Sequence, residues 1–408
     1  MPNFERKLLK EIIEHLPEKE FTIISGARQT GKTTLLNQLA EKLKQNNEAV
    51  TVLTLEDQSI LSRLNQHPEN LFEFAIRPEG KRLYVLLDEI QYLNNPSNFL
   101  KLLYDKHHQS LKIVATGSSA FYIDRKFTDS LAGRKRLFVL YTLTFDEFLT
   151  FRTANDSLKD ELTAIRTRNN YLSPKRSELE TYFNEYLIYG GYPAVALADS
   201  VNRKTQMLNE ITSSYLKRDV IESNVQDQEK FYYLTLLLAQ QTGSLVNVNE
   251  LSKTLRLSTT AVENYLYILR KCFHIHLLRP WFRNIRKELV KMPKIFFHDL
   301  GFRNALIKQF NPIEQRPDKG MLIENYAYIR LREIWDNDTL HYWRTADGQE
   351  IDFIILNSFD EGIAMEIKFD EAGVNPMKYS RFQEAYPSFQ LTHKAFKAAN
   401  NEHSLMAL

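Results

Sequence analysis

The sequence predicts an α/β protein of several domains, with a three-layer parallel-sheet unit first and a smaller α/β unit last. Three observations predict it. At 408 residues the chain exceeds what one hydrophobic core usually holds. Over residues 1–150, short apolar runs alternate with helical patterns, the signature of parallel strands joined by crossover helices. After a long helical stretch and a basic segment, strand-like runs return beyond about Gly320.

In order, the chain opens with an amphipathic helix pattern, MPNFERKLLKEIIEHL. Strands are expected at 21–25, 49–56, 83–89, 111–119 and 137–144, which makes 1–150 the first domain. Residues 151–245 carry long helical patterns and read as a lid or linker region. Residues 246–315 read as short helices followed by basic, aromatic strands. Residues 316–408 open with the helix MLIENYAYIRLREIW and continue as three strands and a final helix. The chain has no internal repeat and no low-complexity tract.

Composition excludes several classes. Apolar runs such as LYVLL fall far short of the roughly 20 residues that a membrane helix needs. The N-terminus lacks the apolar core of a signal peptide, and a cytoplasmic, membrane-free protein is expected. A single cysteine, Cys272, excludes an internal disulfide framework and any multi-cysteine metal centre. The net charge of +2 is not that of a polycation, but its distribution is uneven. Between Ser252 and Lys308 there are twelve Lys/Arg against Glu263, Glu288 and Asp299, an excess of nine (12 − 3). Such a segment suits phosphate backbones, or simply a solvated face.

The strongest chemical signal is SGARQTGKTT, placed between a strand and a helix. Its Gly26, Ala27, Arg28, Gln29, Thr30, Gly31, Lys32, Thr33 and Thr34 have the order of a phosphate-binding loop. Glycines let backbone N–H groups wrap phosphate oxygens, and the helix N-terminus adds partial positive charge. Lys32 is expected on the β- and γ-phosphates of ATP and Thr33 on Mg²⁺. In RLYVLLDEIQYL a buried strand ends in Asp88, expected to hold the Mg²⁺ shell, and Glu89, expected to polarise the attacking water. A polar side chain of ATGSSA, Ser118 or Thr116, is expected to sense the γ-phosphate; small strand-end residues also serve as plain turn formers.

These features resemble the AAA+ ATPases. More narrowly they are similar to prokaryotic AAA-type ATPases with a C-terminal domain of unknown function and a restriction-endonuclease-like end. The resemblance rests also on SLAGRKR, YLIYGGYPAV, SYLKRDV, MPKIFFHDLGFRNAL, ENYAYIRL and YWRTADGQEIDFII. It implies a P-loop three-layer sandwich with a helical lid, and a homo-oligomer. It also implies an arginine-finger role for Arg134 toward a neighbouring subunit and a lid-sensor role for Arg218.

NVNELSKTLRLSTTAVENYLYILRKC fits a helix-turn-helix, with helices at 248–255 and from about 259. Its apolar stripe is Ala261, Val262, Tyr265, Leu266 and Leu269, while Thr260, Glu263, Asn264, Tyr267 and Lys271 project outward. The following basic–apolar alternation reads as a β-wing, with Arg283, Arg286 and Lys287 as DNA-contact candidates. Winged helices also serve as protein-interaction modules. His274, His276 and His298 fall at strand positions without metal-ligand spacing.

In the tail, Glu366 and Lys368 are two apart in one strand and share a face. Asp352 stands level with them if its strand pairs alongside, and Glu324 comes from the preceding helix. This arrangement resembles the PD-(D/E)xK nuclease core, in which Glu324, Asp352 and Glu366 would hold Mg²⁺ and Lys368 would assist hydrolysis. Other readings of the same residues are a same-face ion pair and a fold that only grips DNA. Two readings of the whole therefore stand: an ATPase acting on DNA, and a nucleotide-dependent switch whose C-terminal half binds protein partners.

Overall fold

Five apolar runs of the N-terminal third become five strands of one parallel sheet: β1 (Phe21–Ser25), β2 (Ala49–Thr54), β3 (Leu83–Asp88), β4 (Leu111–Gly117) and β5 (Lys135–Val139). The computed structural model describes residues 4–117, 131–153, 156–168, 171–223, 225–282, 291–345, 347–373, 379–398 and 400–408. The sheet order is β2-β3-β4-β1-β5, with every neighbouring pair parallel. β1, β3 and β4 are buried along their whole length, because helices cover both faces of the sheet.

Strand alternation sorts these residues into two cores. Ile24, Leu86 and Val114 pack with Leu9, Ile12, Leu36 and Leu39 of the helices Lys7–His15 and Lys32–Gln45. Ile23, Val85 and Ile113 pack with Leu100 and Leu103 of the helix Pro96–His107. Helix–sheet–helix is thus the expected three-layer arrangement. The edge strands β2 and β5 are only partly buried, as befits their position.

The chain forms two compact units. The first comprises residues 1–142 and 271–273; the second comprises 143–270 and 274–408. The three segments expected C-terminal to the first domain share one large core in this second unit. Leu143, Leu162, Phe183, Leu278, Phe296, Tyr326, Phe353, Met365 and Leu405 all belong to it.

Two of the quoted sequence stretches meet in one joint. Gly190, at the end of the helix Arg176–Tyr189, has φ of +71°, and a Cβ there would lie 2.3 Å from Asp299 Oδ1. Asp299 in turn accepts from Gly191 N and Phe302 N, each at 2.8 Å. The two stretches YLIYGGYPAV and FFHDLGF are therefore two halves of a packing contact.

The helices Val248–Leu255 and Thr259–Lys271 form where the periodicity predicts them, the second capped by Ser258 Oγ on Ala261 N at 3.1 Å. Val262, Tyr265, Leu266 and Leu269 are buried as expected, together with Ile268; Ala261 is only half-buried. They lead into an antiparallel pair, β6 (Ile275–Leu278) and β7 (Lys294–Phe297). Arg283, Arg286 and Lys287 lie outside the described residues.

The tail starts with the helix Lys319–Ile334 and continues as β8 (Leu340–Arg344), β9 (Glu350–Ser358) and β10 (Glu361–Asp370). After the helix Ser380–Ala385 comes β11 (Phe389–Lys397), a strand that the sequence reading lacks. In its FQLTHKAFK run the apolar alternation Phe389, Leu391, Ala395 is broken by His393 and flanked by polar residues, which weakens the strand signal. The order is β11-β10-β9-β8, with only β10–β11 parallel. Among the described residues no helix is long and apolar enough to cross a membrane.

Candidate functional site

At the end of β1 the chain turns through Gly26–Gly31 before entering the helix Lys32–Gln45. A Cβ on Gly26 would lie 2.1 Å from the Leu140 carbonyl oxygen, so the loop passes too close to its neighbour for a side chain. Gln29 and Gly31 both adopt positive φ, 54° and 95°, which curls the loop backbone. Lys32 Nζ donates to the carbonyls of Gly26 at 2.9 Å and Ala27 at 2.8 Å, and Thr30 Oγ1 donates to Ala27 O at 2.9 Å. Burial draws the Lys32 ammonium down to about 8; Glu89 and Asp88 oppose that shift, and Arg28 adds to it. Thr34 is exposed on the first helical turn, and Arg28 is half-buried.

β3 delivers the acids. Asp88 Oδ2 accepts from Thr33 Oγ1 at 2.8 Å, while its Oδ1 accepts from Thr116 Oγ1 at the end of β4. The Thr116 hydroxyl also accepts from Glu89 N at 3.1 Å. Glu89 itself sits at φ of 60°, a costly conformation for a non-glycine residue, and its carboxylate accepts from the Gln91 amide. Lys32, Thr33, Asp88, Glu89 and Thr116 thus gather at the C-terminal ends of β1, β3 and β4, where open parallel sheets bind ligands. Ser118, the alternative sensor, lies outside the described residues.

Arg6 completes this site and has no sequence signature. Its guanidinium is buried and donates to the carbonyls of Thr30 (2.8 Å), Tyr141 (2.8 Å) and Thr142 (3.4 Å). It pins the phosphate loop to the end of β5. An arginine just before an amphipathic helix looks like any solvated residue in sequence.

The donor set fits Mg²⁺ and a nucleotide triphosphate. A hydroxyl and a carboxylate suit a hard cation, while a lysine and helix-terminal amides suit phosphate. Arg134 is placed elsewhere. It precedes Lys135, which pairs with Phe21 at the start of β1, whereas the phosphate loop follows the other end of that strand. Four residue steps of strand separate those ends, about 13 Å. Arg134 Nε donates to Asp105 Oδ1 at 2.7 Å, so it does not serve the nucleotide site of its own chain. Arg218 is exposed on the helix Val201–Glu222 of the second unit.

In the tail, β9 and β10 pair antiparallel with Phe353 opposite Met365, which sets Asp352 and Glu366 one step further along. Asp352 Oδ2 accepts from Ile367 N at 2.8 Å, and Lys368 is ion-paired to Glu366. Met365 and Ile367 point instead into the large core.

The expected cation position is not open. Lys294 of β7, buried, places Nζ 2.8 Å from Glu324, 2.6 Å from Glu350 and 3.7 Å from Asp352. Burial opposes the Lys294 charge, but Glu324, Asp352 and Glu350 together hold its pKa well above the ordinary lysine range. Burial raises Glu324 to about 8 against the pull of Lys294, and burial also raises Asp352.

Glu350, to which Arg344 donates at 2.7 Å, stays below its ordinary value despite burial, because Lys294 and Arg344 face it. Among the described residues, Glu324, Asp352 and Glu366 do not bring ligand oxygens together as a metal-binding trio. Mg²⁺ therefore does not fit here as the residues stand, since the Lys294 ammonium already occupies the place between these carboxyl groups. Neither Lys294 nor Glu350 lies within the Asp…Glu-x-Lys spacing, which is why the motif did not reveal them.

Among the described residues, two cations of the basic segment also turn inward. Lys294 is one, and Arg303, buried against Asp318, is the other. Lys253, Arg256, Arg270, Arg279, Lys291 and Lys308 are exposed. His276 stacks on Tyr328, and both His276 and His298 are kept neutral, His276 down to about 3, first by burial and then by neighbouring arginines.

Residues 18–149 match the family model described as an AAA domain. The N-terminal unit is thus similar to AAA domains. Residues 180–312 and 319–404 match two models each described as a domain of unknown function, DUF8612 and DUF4143. Two proteins of Methanocaldococcus jannaschii, both named as uncharacterised, are similar over most of the chain. One is 24% identical over 88% of this chain and 77% of its own length. The other is 27% identical over 89% and 79%. Among solved structures, that of C. elegans PCH-2 covers 65% of this chain and 70% of its own at 13% identity, with a TM-score of 0.32.

Proposed function

We propose that this chain is an ATP-hydrolysing ATPase that acts on DNA through its C-terminal half, assembled as a homo-oligomer. The observation that carries the ATPase reading is the hydrogen-bonded set of Thr33, Asp88, Thr116 and Glu89 beside the buried Lys32. Lys32 exchanges the carbonyls of Gly26 and Ala27 for the β- and γ-phosphates. Thr33 and Asp88 hold Mg²⁺, which supplies neutralisation of phosphate charge when bound. Glu89, released from Gln91, orients the attacking water and takes its proton, while Thr116 holds the Glu89 backbone and Asp88 in register. Arg134, too far from its own phosphate loop, faces a neighbouring protomer, and Arg218 senses nucleotide from the helical region.

The DNA reading draws support from the helix-turn-helix pattern followed by β6 and β7, and from the exposed Lys253, Arg256, Arg270, Arg279 and Lys291. The tail acts as a grip and not as a cutter while Lys294 holds its carboxylates. Titrating labelled duplex with the full chain, with and without ATP and Mg²⁺, tests the reading across a salt series. Neutralising three to five phosphates predicts a log–log salt slope of about −3 to −4.5. No binding at low salt would instead favour a nucleotide-dependent switch that recognises protein partners.

A further inference from the structure

A third cluster lies at the edge of the tail sheet, apart from both sites above. Glu371 begins the short turn Glu371–Gly373 after β10, His393 lies on β11, and His403 lies on the C-terminal segment that returns beside β11. One ligand atom from each falls within 4.8 Å of the other two. The Glu371 Oε1 oxygen is 3.6 Å from His393 Nε2 and 3.9 Å from His403 Nε2. The two imidazoles stack with centroids 3.9 Å apart.

The backbone fixes this convergence. Ala395 N donates to His403 O at 2.6 Å, and Asn400 Oδ1 accepts from His403 N at 3.0 Å. β10 and β11 are in parallel register, with Asp370 beside Lys397. All three side chains are half-buried, yet His393 Nε2 is shut off from solvent without a hydrogen-bond partner. A buried polar nitrogen without a hydrogen bond costs about 1–3 kcal/mol and calls for a reason.

We propose that Glu371, His393 and His403 form a binding site for a borderline transition-metal ion of the Zn²⁺ class. Two imidazoles and one carboxylate are the ligand set of such ions, with a fourth position left for water. Bond lengths of about 2.0–2.2 Å place tetrahedral ligands about 3.3–3.6 Å from each other. The Glu371 oxygen, at 3.6 and 3.9 Å from the two ring nitrogens, is already near that separation, and what loading requires is a turn of the rings. A metal lies in the plane of each ring, so loading swings the stacked imidazoles apart. The ion joins the end of β10, β11 and the C-terminal segment, whose Leu405 and Met406 are buried in the large core. It is therefore a structural clasp, and hard cations such as Mg²⁺ are poor occupants of its nitrogen ligands.

The test uses the full chain, stripped with chelator and free of nucleotide. Co²⁺ and Zn²⁺ are titrated by visible absorption and calorimetry, alongside thermal unfolding. One ion per chain is expected, with tetrahedral Co²⁺ absorption, a raised Tm and slower hydrogen exchange over 389–408. His393→Ala and His403→Ala should each lower affinity at least as much as loss of an outer-shell partner, about 100-fold. Glu371→Gln, a milder change at a half-exposed position, serves as the variant least prone to misfolding, and circular dichroism verifies each fold. Unchanged stoichiometry and affinity in all three variants would overturn the assignment. So would equal competition by Mg²⁺, or binding only at millimolar Zn²⁺.

Discussion

Lys294 on β7 donates to Glu324 on the helix Lys319–Ile334 at 2.8 Å, in the place where a nuclease-like tail would hold its cation. The contact binds the β6–β7 pair to the tail sheet through a charge cluster instead of a metal. Removing one partner of a buried ion pair strands the other, at a cost of about 3–5 kcal/mol. Lys294→Met should therefore destabilise the second unit by that order, read from urea unfolding. Adding Glu350→Gln should recover part of the loss, because Glu350, held below its ordinary carboxylate value, is the charge that Lys294→Met strands. A loss below about 1 kcal/mol would mean that the cluster is solvated.

Glu324 also makes stability depend on pH. Burial lifts its carboxyl from 4.5 to about 8, so between these values the folded state binds a proton that the unfolded state has released. Stability from this group is present at low pH and is lost as pH rises toward 8, with a slope of at most about 1.4 kcal/mol per pH unit. His15, His276 and His298, all lowered by burial, tilt the total the other way at acid pH. The measurement is therefore a difference: wild type minus Glu324→Gln should decline steadily from pH 5 to 8 in chemical unfolding.

Lys294 and Glu350 show where sequence reading stops. β1 to β5 and the two helices at 248–271 were legible, since each rests on local periodicity and on a nearby cap or turn. Gly26 to Thr33 and Asp88 were legible because phosphate chemistry fixes their spacing. Arg6, Lys294 and Glu350 were not, since each acts through a partner 24 to 136 residues away or through burial that only packing creates. β11 escaped for a related reason: His393 interrupts its alternating Phe389, Leu391 and Ala395, and its polar residues are half-buried only through packing.

Glu89 is held by its neighbours in a left-handed backbone conformation, with its N–H on Thr116. Glu89→Gln keeps that backbone and removes the proton acceptor. ATP binding should persist while turnover falls about 10²–10⁴-fold, as loss of a general base does. Thr116→Val should lower turnover with Glu89 intact. Lys32→Ala should abolish binding of a fluorescent ATP analogue. Turnover at the wild-type rate in Glu89→Gln would remove Glu89 from the mechanism.

Arg6 makes charge-assisted bonds to three carbonyls, one of them in the phosphate loop. Each such bond contributes about 1.5–3 kcal/mol, and Arg6→Met leaves buried carbonyls unpaired. The expected result is weaker ATP affinity, by about 10-fold or more, in a chain whose nucleotide-contacting residues are all intact. Lysine at this position reaches only one carbonyl and should restore little. Full affinity in Arg6→Met would show that the loop holds its curl without this anchor.

The tail makes the sharpest demand on the charge cluster. With Lys294 in place, its ammonium stands between Glu324, Glu350 and Asp352 and cannot leave without moving β7, while Glu324, raised to about 8, offers a protonated carboxyl at neutral pH. A divalent ion would then face the repulsion of that ammonium at close range. In Lys32→Ala protein, whose phosphate loop is disabled, Mg²⁺ or Mn²⁺ should neither raise Tm nor support nicking of supercoiled plasmid. Nicking that appears with Mn²⁺ and disappears in both Asp352→Ala and Lys368→Ala would show that the ammonium yields to metal. It would assign the tail a cutting role. Nicking that survives both changes would come from elsewhere.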